Sequence, residues 1–373
     1  MKQTFDIQLP PYLVLPVSMQ DTGQIQDWGH KYLRATELYG KTRGEKAVIF
    51  ILDTAGQFDH PDLEASSLQE YAKNFTNASG LKDVHGHGTH CAGIAAAIDN
   101  QIGVIGVAPG ARLVPIKVLN DSGAGSFSWI ANAIRYVADL ALTGEHAGKK
   151  KVISMSLGGP SGSDELRQAI QYAIGKGVFL FAAAGNRGYT GTDSVDYPGH
   201  YPEMITIASI RDDEEPSSFS SGGDEVDLAA PGQAVYSTHK DGGYAYLSGT
   251  SMATPHAAGV AALLVSLFPE IERQGQLEAF LRDHAKDLYQ TGKDVRTGAG
   301  SPILPNYADQ TPGEPGDDPF DPGDPGDPEP ITREDRTVIF DFEGKYPMWY
   351  RTIDGPKMLL LHVEKIRLSI ETD

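Results

Sequence analysis

Short, continuously apolar runs alternate with helix-patterned segments through most of the chain. Residues 47–52 (AVIFIL), 113–119, 152–157 and 178–184 have strand length and few polar side chains. Between and after them, residues 87–98 are rich in alanine, 130–142 carry apolar residues at helical spacing, 165–175 read as a helix, and 251–268 form a long apolar helix. A strand is apolar at every position only when both faces of its sheet are covered. Alternation with helices supplies that cover, so the pattern predicts an α/β fold: a mostly parallel central sheet with helices on both faces.

That layered region ends at an abrupt change of composition. Residues 309–330 (DQTPGEPGDDPFDPGDPGDPEP) hold seven of the 24 prolines, four glycines and eight acids, with no base. Such a segment cannot bury a core, and its charges repel one another, so it reads as an extended acidic linker. Calcium ligation by its Asp-Pro-Gly repeats is the weaker alternative, because the spacing fits no calcium loop. Beyond it, residues 338–342, 359–363 and 366–370 alternate as strands do, predicting a small C-terminal β module of about three strands within 331–373. The expected organisation is an N-terminal extension over 1–23, a main domain over 24–308, the linker over 309–330 and the β module over 331–373. That module is a candidate for docking on the main domain or binding a protein partner.

The charge balance excludes whole classes of partner. There are 31 basic and 50 acidic residues, a net charge of −19, which argues against nucleic acid and against an anionic membrane surface. The single cysteine, Cys91, rules out an intrachain disulfide. Apolar runs such as 178–184 fall short of a membrane span of about 18 residues. At the N-terminus Lys2 stands alone, and Pro10, Pro11 and Pro16 break the only apolar run, which is not the pattern of a leader peptide. The expectation is a soluble cytoplasmic protein, with secretion of a processed form as the alternative.

Three segments carry residue types that do chemistry together. Asp53 follows the run AVIFIL, and in an open α/β sheet the carboxyl ends of the strands line the ligand crevice. His87 opens the segment HGTHCAG between Gly86 and Gly88. Ser251 lies in SGTSMATPHAAG, where a Gly-Thr-Ser turn enters a helix whose free N–H groups can face a developing oxyanion. Acyl transfer needs a nucleophile, a base to take its proton and a carboxylate to orient the base. The order Asp, His, Ser alone is a weak signal; the local contexts strengthen it.

With these, Asp53-Thr54, HGTHCAG (87–93), SLGGP (156–160), AAAGN (182–186) and GTSMATPHAAG (249–259) make five ordered motifs. On them the chain resembles the subtilisin-like serine proteases across roughly residues 24–305, in style the intracellular members. The resemblance implies a hydrolase that cuts extended or unfolded polypeptide. Ser251 would be the nucleophile, His87 the base, Asp53 its orienter and Asn186 the side-chain oxyanion donor. His90 becomes a structural helix residue, and the reading of His85, His87 and His90 as a metal cluster is the weaker one. Gly123, Ala124 and Gly125 on one side, and Ser156, Leu157 and Gly158 on the other, resemble the two backbone edges that hold a substrate strand. Asp196 would lie at the floor of the main side-chain pocket and Arg187 at its rim. The implied preference is mixed, with tolerance of basic residues, unless the two charges pair with each other.

The resemblance also implies structural calcium. Side-chain oxygens of Gln24, Asp62 and Asn100, with the carbonyls of Ile98, Ile102 and Val104, match a tight site, and Glu225 with Asp227 matches a weaker one. Cys91 would sit one turn along the helix from His87, buried and inert. Where relatives have Asp-Ser/Thr-Gly, this chain has Asp53-Thr54-Ala55-Gly56, so a positive φ at residue 55 would strain an alanine. Leu9-Pro10-Pro11-Tyr12-Leu13 resembles the short extension that lies across the active site of intracellular relatives, an inhibitory arm or else a merely packed one. The alternative to general proteolysis is maturation of one partner recruited by the C-terminal module.

Overall fold

The computed structural model describes residues 5–9, 15–16, 23–312, 344–352 and 355–363. Contacts divide the chain into two units, Met1–Asp324 and Pro325–Asp373. In the larger unit a seven-stranded parallel sheet is built from β1 (Ala47–Asp53), β2 (Lys73–Asn74), β3 (Arg112–Lys117), β4 (Lys150–Met155), β5 (Val178–Ala183), β6 (Ile205–Ile210) and β7 (Leu228–Pro231). Their spatial order is β7-β6-β5-β4-β1-β3-β2. The principal helices are α1 (His87–Ala96), α2 (Phe127–Asp139), α3 (Asp164–Ile174), α4 (Thr250–Leu267) and α5 (Gln274–Asp283). The α/β expectation holds: each predicted strand and helix of this unit lies within a few residues of an observed one, whereas β2, β6, β7 and α5 were not anticipated.

The unbroken apolar runs have the cause the sequence implied. Along β1, Ala47, Ile49 and Ile51 pack into a core shared with α1 and α4. Val48, Phe50 and Leu52 point to the opposite face and pack with α2 and α3. Side chains alternate across a strand, so a sheet sandwiched between helices leaves no face for polar residues. Ser126 and Ser163 cap α2 and α3 by accepting from Trp129 N and Leu166 N. Among the described residues only α4 is long and apolar enough to cross a membrane, and 94% of it is buried inside the domain.

The sheet order reverses at β1: the chain runs to β3 on one side and then to β4 on the other. The crevice at that switch lies at the carboxyl ends of β1 and β4. Asp53 ends β1, and Ser156 directly follows β4.

The second unit contains an antiparallel hairpin, Gly344–Thr352 with Gly355–Val363. The predicted strand over 359–363 falls in its second arm, and the first arm was not anticipated. The predicted strands over 338–342 and 366–370, and the linker segment 313–330, lie outside the described residues.

Candidate active site

Asp53 is fully buried and holds His87 Nδ1 with both carboxylate oxygens, at 2.8 and 3.0 Å. His87 is itself buried, at the first position of α1. Burial alone would lower its pKa, but the Asp53 carboxylate, with a smaller contribution from Cys91, holds it well above the ordinary imidazole value. His90 is placed differently: it is buried with Nε2 against the Ala245 carbonyl at 3.0 Å, and burial takes its pKa down to about 3. It is a core residue, as the sequence reading had it.

The turn between Asp53 and α1 is held by a residue that carries no obvious signal in the sequence. Buried Asp83 accepts from Thr54 Oγ1 and Gly86 N through one oxygen, and from Thr89 N and Thr89 Oγ1 through the other. Burial opposes its charge, but these four bonds, Thr89's hydroxyl foremost, hold its pKa below the usual carboxylate range. The buried Lys117 Nζ donates to the Thr54 carbonyl at 2.7 Å. Ala55 then adopts φ 106°, a strain on the order of 1–3 kcal/mol for a non-glycine residue. The clamp on Thr54 compensates it, and a Cβ on Gly88 would meet the Ala55 carbonyl oxygen at 2.0 Å.

Ser251 is the second residue of α4 and 5% exposed. Pro255 lies four residues on and has no N–H, so the Ser251 carbonyl loses its helical donor. Ser156 Oγ at 2.8 Å and Cys91 Sγ at 3.4 Å take its place. The Cys91 sulfur also lies 3.9 Å from His87 Nδ1, so His87 and Ser251 border the same buried thiol. The Ser251 hydroxyl donates to the Ser156 carbonyl at 3.2 Å. Asn186 accepts from Thr250 N and Thr250 Oγ1 through Oδ1, at 2.9 and 3.0 Å. That fixes which way its amide points and leaves Nδ2 on the Gly249 side of the turn.

Asn186, Ser251, Ser156, Gly158 and Asp196 line one cavity of about 320 Å³. Arg187 and Asp196 meet there at 3.0 Å, the pairing that the sequence left as an alternative. Burial raises the Asp196 pKa and the Arg187 charge pulls it back. Arg187 Nη2 also donates to the carbonyls of Ser194 and Val195.

The N-terminal segment enters the same cleft. Ile7 and Gln8 pair antiparallel with Gly125 and Ala124, Asp6 N donates to Gly125 O at 3.1 Å, and Leu9 N to Gly123 O at 2.9 Å. Ile7 and Leu9 are buried, and Asp6 O lies close enough to Gly159 to exclude a Cβ there. The segment on the edge is thus 5–9. The sequence pointed to 9–13, of which 10–13 lie outside the described residues.

The expected cation ligands converge in part. Gln24 Nε2 faces Ile98 O at 2.7 Å, Val104 O at 3.1 Å and Asn100 Oδ1 at 3.3 Å. Asn100 Nδ2 reaches Asp62 Oδ1 at 3.1 Å, and Asp62 Oδ2 accepts from Val104 N and Tyr244 OH. Three oxygens gathered about one amide fit a hard cation, since turning that amide over would present a fourth. Ile102 N donates to Asn100 Oδ1, which closes the loop around the group. Among the described residues Glu225 and Asp227 share no partner. Asp227 accepts from Thr206 N and lies 3.8 Å from Lys293, whereas Glu225 turns to His200.

Comparison with known proteins agrees with this geometry. The model of the subtilase family, peptidase S8, matches residues 44–300. An intracellular serine protease of Paenibacillus polymyxa is 41% identical over 268 residues, 70% of this chain and 78% of the relative. Thermitase of Thermoactinomyces vulgaris is 44% identical over 243 residues, 65% of this chain and 82% of the relative. Subtilisin E of Bacillus subtilis is 39% identical over 244 residues, 65% of this chain and 61% of the relative.

Proposed function

The chain belongs to the subtilase family of serine peptidases, and from that premise we propose that it hydrolyses peptide bonds in extended polypeptide through Asp53, His87, Ser251 and Asn186. The observation that carries the assignment is the two-oxygen grip of Asp53 on His87 Nδ1. It fixes the tautomer that leaves Nε2 as the base, and it raises the basicity of the ring.

In this reading Ser251 Oγ turns from the Ser156 carbonyl to His87 Nε2, gives up its proton there and attacks the peptide carbonyl. The tetrahedral oxyanion receives Asn186 Nδ2 and the Ser251 N–H. His87 returns the proton to the leaving amine, and water then releases the acyl group by the same route. Substrate would lie as a strand between 123–125 and 156–158, held by main-chain bonds. Because residues 5–9 occupy the first of those edges, the N-terminal arm acts as a competitor that substrate must displace. With Arg187 and Asp196 satisfied by each other, the pocket favours an uncharged side chain over a basic one.

Calcium would be held by Gln24, Asp62 and Asn100 with the carbonyls of Ile98, Ile102 and Val104. It supplies stability by binding only the folded state. Similarity to an intracellular serine protease supports a place inside the cell.

A fluorophosphonate probe tests the assignment. Labelling at Ser251 that disappears in S251A, together with loss of casein hydrolysis, is the expected result. Labelling of another residue, or casein hydrolysis that survives S251A, overturns it. Cleavage of a native partner with casein untouched would instead select the dedicated-maturation alternative.

A further inference from the structure

A second cluster of ligating side chains lies beside the pocket wall. Asp193, His200 and Glu225 each bring a donor atom to within 4.8 Å of the others. His200 Nδ1 lies 3.2 Å from Asp193 Oδ2, and His200 Nε2 lies 3.7 Å from Glu225 Oε1. Among the described residues neither His200 Nδ1 nor Glu225 Oε2 has a hydrogen-bond partner, although both atoms are shielded from solvent. An imidazole nitrogen 3.2 Å from a carboxylate oxygen yet not bonded to it along its N–H direction needs another explanation. One imidazole gives a single nitrogen to an ion, and with one donor atom taken from each residue the three lie within 4.8 Å of one another, so a modest side-chain rotation would bring them to the roughly 3.3–3.6 Å between ligands of a tetrahedral zinc ion.

The surroundings hold the three groups in place. The Asp193 side chain is anchored by its other oxygen, which accepts from Val195 N at 2.9 Å. Gly223 has no Cβ where one would lie 2.4 Å from that oxygen. The His200 ring packs on Tyr197 at 4.7 Å between centroids. The side chains remain 26–43% exposed, so an ion can enter from solvent.

We propose that Asp193, His200 and Glu225 bind one first-row divalent cation of the zinc class. One nitrogen and two carboxylates suit such an ion better than calcium or magnesium, which take oxygen ligands almost alone. The ion would fasten a segment that shapes the pocket. Asp193 is three residues from Asp196, and Arg187 is tied to Ser194 and Val195 in the same loop. Ser194 N bonds Gly222 O, so the ion would add a side-chain link where a main-chain one already joins the two loops.

The full chain, stripped with a chelator and resupplied with excess calcium, is titrated with Zn2+ in a calorimeter beside H200Q and D193N. The expected result is one more zinc bound by the wild type than by either variant, or the same number with affinity at least tenfold tighter. Zinc should also raise the melting midpoint of the wild type alone. Equal stoichiometry, affinity and melting shift in all three proteins overturns the proposal and leaves an ion-paired histidine. Calcium that displaces zinc at equal concentration overturns the assigned cation class. The readout is binding and melting, so it stands or falls independently of the catalytic assignment.

Discussion

Pro255 and Ser251 are linked by a missing hydrogen bond. The proline withholds the N–H that the Ser251 carbonyl would receive in a regular helix, and Ser156 Oγ supplies a donor at 2.8 Å instead. A serine on the loop after β4 thereby fixes the backbone of the residue proposed as nucleophile. Removing that donor leaves the buried carbonyl only the weak Cys91 thiol at 3.4 Å, so S156A should lower stability by about 0.5–1.5 kcal/mol. P255A restores an N–H in the helix and should recover part of that loss. A double-mutant cycle by urea unfolding checks it, and equal costs of S156A in both backgrounds would exclude the link.

The Asp53–His87 pair has a pH signature. Activity needs neutral His87, and its folded pKa is raised, so kcat/KM should climb with pH through a limb above the ordinary value of about 6.5. D53N should move that limb down while kcat falls by about 10⁴. Stability runs the other way. The pair's contribution is present below the unfolded pKa of about 6.5 and is lost as pH rises through the raised folded value. A limb unchanged in D53N would refute the coupling.

On the proposed mechanism Asp83 is a positioning residue, because it bonds neither the proposed base nor the proposed nucleophile side chain yet holds the turns that carry Asp53 and His87. In D83N an amide would face two of four donors. Stability should fall by about 1.5–3 kcal/mol or more, and kcat should fall while KM stays near wild type. Its pKa is depressed, so the stability it adds is present above about pH 4 and is lost as pH falls through the folded value. A drop in melting midpoint with kcat unchanged would make its role structural only.

The N-terminal arm should behave as a reversible block. Ile7 is 1% exposed and Leu9 7%, so I7D with L9D would bury carboxylates and expel the segment. Hydrolysis of a small ester should rise at least tenfold. No change in rate would mean that the arm packs without obstructing.

Chelation with EGTA should lower the melting midpoint, and D62N should remove most of that sensitivity. A cation held at a thousand times its dissociation constant contributes about 4 kcal/mol. Identical melting with and without EGTA would remove the calcium reading.

The sequence was most legible where chemistry is local. The apolar runs, the glycines around His87 and the Gly-Thr-Ser entry to α4 each declare their own strand, turn or helix start. The strained Ala55 was legible too, because φ at a turn is a property of a few neighbouring residues. Three strands of the sheet, β2, β6 and β7, escaped notice because such short strands carry no periodicity of their own.

What the sequence by itself determined was the layered fold and the identity of the candidate triad, since both follow from residue types in their immediate context. What only the tertiary structure decided was which groups answer one another across the chain. Asp83 with Thr54, Ser156 with the Ser251 carbonyl, Arg187 with Asp196 and His200 with Asp193 and Glu225 are examples. Polar groups buried by folding must find partners wherever the backbone brings them, and that choice depends on distances no linear spacing encodes.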